Sequence, residues 1–374
     1  MKLKKNISLL LIISIAVLLF NSCTSRVGAA TSWPGFSVDG ESAYLSFGAE
    51  TYAINLKNGS LNWKYPSEVD RSRQAYSAPK VIDGLVVFGD YANHLVAADA
   101  SSGTEKWIYA GAEDRYIASV EAVQGVIYAP NTDGYIYALD LEGDLLWKFL
   151  LDGPNWTKPI VDDTYLYVAS MDHSLYAISQ AFTASDLELA KNGTKTLRTD
   201  YEWKTDLEMA IVADPVLEDG VIYVPTIEGK LFAIEAASGS VIWSFDNDGK
   251  LGAVWGSPVI SNEIIFFADV NGDVYTVEKD SGKPHWPSAF NAGGKIVGGG
   301  ALTPGGVVFA TDEGKLFLIN SEKEPKTITT FDNAVYSPLN YSGDNILVSP
   351  ASEEGLLAAF NAEGFETWSF VPEE

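Results

Sequence analysis

Six times the chain writes a short apolar segment, a turn at glycine, and a tryptophan four residues after that glycine. The copies are TYAINLKNGSLNW ending at Trp63, LVAADASSGTEKW at Trp107, IYALDLEGDLLW at Trp147, LFAIEAASGSVIW at Trp243, VYTVEKDSGKPHW at Trp286 and LLAAFNAEGFETW at Trp368. Two further copies are degraded. LYAISQ at 175–180 reaches Trp203 only after an insertion, and LFLINS at 316–321 has Ile328 where tryptophan is expected. The eight positions lie 44, 40, 56, 40, 43, 42 and 40 residues apart. A period near forty built of short alternating segments predicts a β-propeller with one four-stranded blade per repeat. The expected fold is all-β: an eight-bladed propeller of four-stranded antiparallel blades. Length alone suggests two or three domains, but the repeat makes 33–374 a single ring.

The second copy shows how a blade reads. APKVIDG is the inner strand, LVVFGDY the second, HLVAADA the third and EKWIYAG, beyond the Ser102-Gly103 turn, the outer one. Apolar residues at every second position direct one face toward a neighbouring blade. The glycine adopts a turn conformation other residues resist. The tryptophan buries a large area between blades. No such unit can bury its own faces, so it must recur. Pro79, Pro159, Pro215, Pro258 and Pro338 fall in register before the inner strands. Proline cannot donate to a ladder and prefers a sheet edge, which suits a strand lining a central channel.

The chain opens MKLKKNISLLLIISIAVLLFNSC. Lysines precede an apolar run from Ile7 to Phe20 of 14 residues, short of the roughly 20 needed to span a bilayer. This is the form of an export signal. Leu19-Phe20-Asn21-Ser22-Cys23 resembles a bacterial lipoprotein box, with Cys23 as the lipidation site. A plain secretory cleavage near Ala29-Ala30 is the alternative. The expected division is a signal peptide at 1–22, a flexible tether at 23–32 and the propeller at 33–374. Cys23 is the only cysteine, so the mature domain forms no internal disulfide. The formal charge of −25 disfavours nucleic acid, which is bound through lysine and arginine. Contact with a membrane is expected only through the lipid.

The recurring Tyr-Ala-x-Asp-x-x-x-Gly-x-x-x-Trp resembles the repeat of pyrroloquinoline-quinone (PQQ) type propellers, over about residues 33–372. That family divides into quinoprotein alcohol and sugar dehydrogenases and cofactor-free scaffolds. The scaffolds include the B-subunit lipoprotein of the outer-membrane β-barrel assembly machinery, which this chain resembles in size, start and blade count. The resemblance implies that a dehydrogenase would carry an adjacent cysteine pair, calcium-binding carboxylates and a tryptophan stacked on the quinone. No cysteine pair exists here, and no carboxylate pair is placed to serve a metal-polarised quinone. Asp269-Val270-Asn271-Gly272-Asp273 is mildly calcium-like but lacks the remaining ligands of a calcium loop. His94, His173 and His285 fall in separate repeats and read as solvated turn residues. Neither a cofactor nor a metal is expected.

Seven of the ten tryptophans occupy the repeat position. Trp33, Trp156 and Trp255 do not. They fall at the start of inner strands, as does Tyr76, with Tyr336 one residue along. Arg71, Arg73, Arg115, Lys158 and Lys295 lie in or near the same segments. Aromatics with arginine are what interface centres favour. The candidate partner-binding site is therefore one mouth of the channel: Trp33, Arg73, Tyr76, Arg115, Trp156, Lys158, Trp255, Lys295 and Tyr336. The alternative is that the tryptophans plug the channel and the cations offset nearby acids. The insertion from Gln180 to Tyr201 lies between the third and fourth strands of its blade and is expected to project from the opposite face. The functional expectation is an exported, lipid-anchored, non-catalytic and monomeric propeller that binds protein partners in the cell envelope. It would serve assembly of envelope or outer-membrane proteins. The alternative is a quinone- or sugar-binding propeller, including a PQQ-dependent dehydrogenase.

Overall fold

Eight antiparallel sheets follow one another along the chain in a computed structural model that describes residues 34–181, 196–351 and 355–372. The blades span 35–65, 80–109, 121–150, 160–206, 216–245, 259–291, 301–330 and 340–370. No helix occurs among the described residues. Within each blade the strands lie in sequence order, with the inner strand at one edge. That strand is only two or three residues long in every blade except the first. Pro79, Pro159, Pro215 and Pro258 each immediately precede it. Pro338 stands one residue earlier than these, because Asn340 pairs with Leu347 and Leu339 takes the proline position.

The buried residues divide into eight clusters, and each joins two adjacent blades. Alternation explains this. In blade 1, Ala43, Leu45, Tyr52 and Ile54 face blade 8, whereas Tyr44 and Ala53 face blade 2. Both faces of each second and third strand are thus covered, which is why those strands read as nearly continuous apolar runs. The outer strands keep one wet face. In Leu61–Tyr65 only Trp63 and Tyr65 are buried.

The repeat tryptophan is a latch between blades. Trp63 donates its indole N–H to the Ala100 carbonyl of the next blade at 2.9 Å. Trp107 donates to Leu141 at 2.8 Å, Trp203 to Ala236 at 3.0 Å, Trp243 to Lys279 at 3.0 Å and Trp286 to Ser321 at 2.6 Å. The glycine four residues before Trp107 is held by two constraints. Gly103 has φ of +70°, and a Cβ there would lie 2.6 Å from the Trp63 ring. The turn needs a left-handed residue, and the previous blade's indole needs that residue to have no side chain.

The last tryptophan closes the ring. Trp368 donates to the Leu56 carbonyl of blade 1 at 2.7 Å and lies on Gly59. Blade 1 takes all four strands from 35–65 and blade 8 all four from 340–370. The seam is therefore made by side chains, without exchange of a strand.

The described end of the insertion joins a blade. After Ser179 the chain returns as Thr196–Arg198, a fifth strand parallel to the outer strand of blade 3, with Trp147 opposite Thr196 and Phe149 opposite Arg198. Among the described residues blade 4 has no glycine turn over Trp147, and the Arg198 guanidinium lies 5.2 Å over that indole. The residues between, 182–195, lie outside those described.

Candidate functional site

The inner strands continue outward as extended connectors whose residues alternate between buried and open. Strand pairing sets a common register. Lys80, Glu121, Ile160, Val216, Val259, Ala301 and Asn340 each pair with the third residue of a second strand or its equivalent. Four residues before them lie Tyr76, Ile117, Trp156, Val212, Trp255, Val297 and Tyr336. All seven are partly or fully open, Trp255 at 37%. Tyr336 is in register with the others rather than one residue along. The residue before each is buried in a seam between blades: Ala75, Tyr116, Ile211, Val254 and Val335 among them. Backbone hydrogen bonds hold these connectors to the preceding blade's turn, as in Ala75 N–H to Gly48 O at 2.7 Å and Tyr116 N–H to Asp90 O at 3.0 Å. The result is an apolar ring around one channel mouth. Trp33 has the same offset from Ser37 but, like Cys23, lies outside the described residues.

Apolar residues also stand at four of the equivalent turns beside this ring, which the sequence reading missed, while Thr132 and Asp312 hold two others. Tyr91, Met171, Ile227 and Val270 are partly open at the turns after the second strands. Their amides bind the carbonyls of Gln74, Pro154, Ala210 and Ala253. Each follows a buried polar residue, Asp90, Ser170, Thr226 or Asp269, and that pairing was the available signal. Tyr76 and Tyr91 meet edge to face with centroids 5.1 Å apart. Burial pushes the Tyr76 hydroxyl above its ordinary range, and Tyr91 adds to this.

The candidate cations do not gather. Arg73 donates its Nε–H to Asp90, whose carboxylate is 2% exposed, at 2.9 Å. Arg115 is exposed beside Asp114 and lies 5.6 Å over the Tyr91 ring. Lys295, in the connector between blades 6 and 7, is exposed. Lys158 is deeper in the channel, two residues below Trp156, with its ammonium 3.4 Å from Glu121. Lys80 approaches the same carboxylate at 2.5 Å. Asp214 accepts the Lys158 amide N–H at 2.7 Å, and burial pushes its carboxyl up. Burial also opposes ionisation of Glu121, but the two ammoniums and the Ala122 amide outweigh it and hold its carboxyl below the usual range.

A depressed folded-state value fixes the sign of a pH effect. Stability from Glu121 is present above the unfolded carboxylate range and is lost as pH falls through the lowered folded value. Glu121→Gln is expected to lower the denaturation midpoint at neutral pH and to converge with the parent in strong acid. Urea midpoints across pH check this; a gap persisting in acid contradicts it.

The other polar candidates are held within turns. Asp269 is fully buried and accepts N–H groups of Gly252, Asn271 and Asp273 at 2.8, 2.9 and 3.1 Å. The Asn271 side-chain amide and the Tyr275 hydroxyl also donate to it, each at 3.3 Å, so its lone pairs are taken within the turn, as in a turn cap rather than a calcium loop. His94 and His285 contact Asp90 and Glu278 at 3.1 and 2.7 Å. Among the described residues no group of three or more His, Cys, Asp or Glu is placed to hold a metal. A cavity of about 560 Å³ lies between blades 6 and 7 on the opposite face, lined by Asn262, Glu263, Glu278, His285 and Glu322 among others. It forms where the fourth strand of blade 6 is reduced to Phe290–Asn291 beside Pro284 and Pro287.

Residues 24–148 and 198–293 match the family described as outer membrane protein assembly factor BamB, more than half of the chain. The chain belongs to that family. The outer membrane protein assembly factor BamB of Yersinia pestis is 29% identical over 167 residues, 39% of this chain and 41% of that protein. Its namesake in Xanthomonas campestris pv. campestris is 25% identical over 208 residues, 53% of this chain and 50% of that protein. The chain spans about half the length of the curated relatives it matches. The crystal structure of BamB from Moraxella catarrhalis superposes with a TM-score of 0.68 over 84% of this chain and 93% of that one. At 14% identity this likeness shows the fold alone.

Proposed function

We propose that the protein is an extracytoplasmic, lipid-anchored, non-catalytic scaffold that assists assembly of outer-membrane proteins. The observation that carries the reading is the BamB family match on both sides of the insertion, and the relatives matched are named as assembly factors. A partner protein docks on the channel mouth, through Tyr76, Trp156, Trp255 and Tyr336 together with Trp33, and with Arg73, Arg115, Lys158 and Lys295 in or below the same segments. Open aromatic side chains there support this choice of face. The signal peptide ends before Cys23, the lipid on Cys23 holds the propeller at the membrane, and the ring acts as a monomer.

Two measurements test the reading. Cys23→Ala is expected to move the protein from the membrane fraction to the soluble fraction of the envelope; unchanged membrane retention removes the anchor. Cells lacking the protein are expected to show reduced levels of outer-membrane β-barrel proteins, restored by the parent chain. Undiminished levels remove the assembly role.

A further inference from the structure

The mouth is apolar at the connector positions and at the turns bearing Tyr91, Met171, Ile227 and Val270, and acidic at its margin, and these properties together select a partner. The open apolar positions are not required by packing, because the alternate residues Ala75, Tyr116, Ile211, Val254 and Val335 already fill the seams between blades. Large apolar side chains concentrated at such a place mark a binding surface. Around them the connectors and turns expose Asp114, Glu208, Glu228, Asp248, Glu313 and Asp332. The exposed cations of the same segments are fewer: Arg71, Arg115, Lys250 and Lys295. The chain as a whole carries −25.

We propose that the mouth binds a polypeptide segment whose apolar or aromatic side chains seat on these open apolar residues and whose lysines or arginines reach the carboxylates of the margin. This rests on the scaffold reading and specifies the chemistry of the partner at that site. An acidic segment or an anionic lipid surface would meet the same margin with repulsion. Complementary charge at the rim acts mainly on association rate and selectivity, while the buried aromatic contacts hold the complex.

Three fluorescein-labelled peptides of about twelve residues test it by fluorescence anisotropy. One alternates phenylalanine with lysine, the second has glutamate for every lysine, and the third keeps lysine but has serine for every phenylalanine. The first is expected to bind the parent at least tenfold more tightly than either of the others, and less tightly as salt rises. Trp156→Ser with Trp255→Ser is expected to weaken that binding at least tenfold. Glu208→Lys with Glu313→Lys, both on exposed residues, is expected to weaken the lysine peptide and improve the glutamate one. Failure of the first peptide to bind, equal binding of the first two, or an unchanged affinity in both variants overturns the proposal. Peptide selectivity with undiminished outer-membrane protein levels in cells lacking the chain would keep the surface chemistry and remove the scaffold role. The reverse result would remove the chemistry alone.

Discussion

Replacing Trp147 with alanine is expected to destabilise the whole ring by roughly 3–5 kcal/mol, the usual loss for a buried tryptophan. Trp147 is 1% exposed. It packs with Leu166, Val168, Tyr176 and Ile178 of blade 4 and lies 5.8 Å from the Tyr128 ring. The substitution removes one side of the seam between blades 3 and 4 and takes from Arg198 the indole beneath it. Per-residue unfolding entropies convert that loss to a melting shift of roughly 4–7 °C for a ring of this length. Every blade shares both faces with neighbours, so calorimetry should show one transition moved as a whole. An unmoved main transition with a small early shoulder would mean that this seam melts alone.

Trp368→Ala is expected to cost a similar roughly 3–5 kcal/mol but to act where the ring closes. Every other pair of adjacent blades is joined by a connector. Among the described residues, blades 1 and 8 are joined by side-chain packing and by the bond from Trp368 to Leu56. Opening this seam breaks no covalent continuity, so partial opening there is the cheapest available. Hydrogen exchange should rise most in the strands Ser42–Phe47 and Glu50–Asn55 and in Asn345–Val348 and Leu357–Phe360. Amides of blades 4 and 5 should change least. A uniform rise across all blades would show that the ring has no weakest seam.

The two substitutions remove the same residue type from the same repeat position, yet different features of the chain anticipate them. That Trp147 is interior follows from the period, because a residue rewritten at one offset in blade after blade faces a neighbouring blade each time. That Trp368 seals a seam made without strand exchange does not follow from it. A repeat specifies neighbours along the chain, and the first and last blades are not neighbours along the chain.

The candidate site divides in the same manner. Trp33, Trp156 and Trp255 stood out because they broke the tryptophan rule, and their offset from the inner strand was countable. Tyr336 was misplaced by one residue, and Pro338 correspondingly aligned, because counting from the turn glycine ignores that the Gly343-Asp344 turn is written in the opposite order to Asp83-Gly84. Pairing of Asn340 with Leu347 settles the register. Ile117, Val212 and Val297 were invisible as site residues, since an aliphatic residue in a strand-like segment reads as core. Met171, Ile227 and Val270 were missed for the same reason.

Sequence alone determined the fold class, the blade number and the identity of the latching tryptophans, because each depends on local periodicity and on burial that no single blade can supply. The tertiary structure decided which charges are free and which are committed. Arg73, Lys80 and Lys158 are as basic as Arg115 and Lys295 when read along the chain. They differ only because Asp90 and Glu121 are brought against them, and Glu121 reaches Lys80 and Lys158 from an adjacent blade on either side. Coulomb attraction falls with distance in space and not with separation in sequence, so the mouth's acidic balance became visible only once the ring was closed.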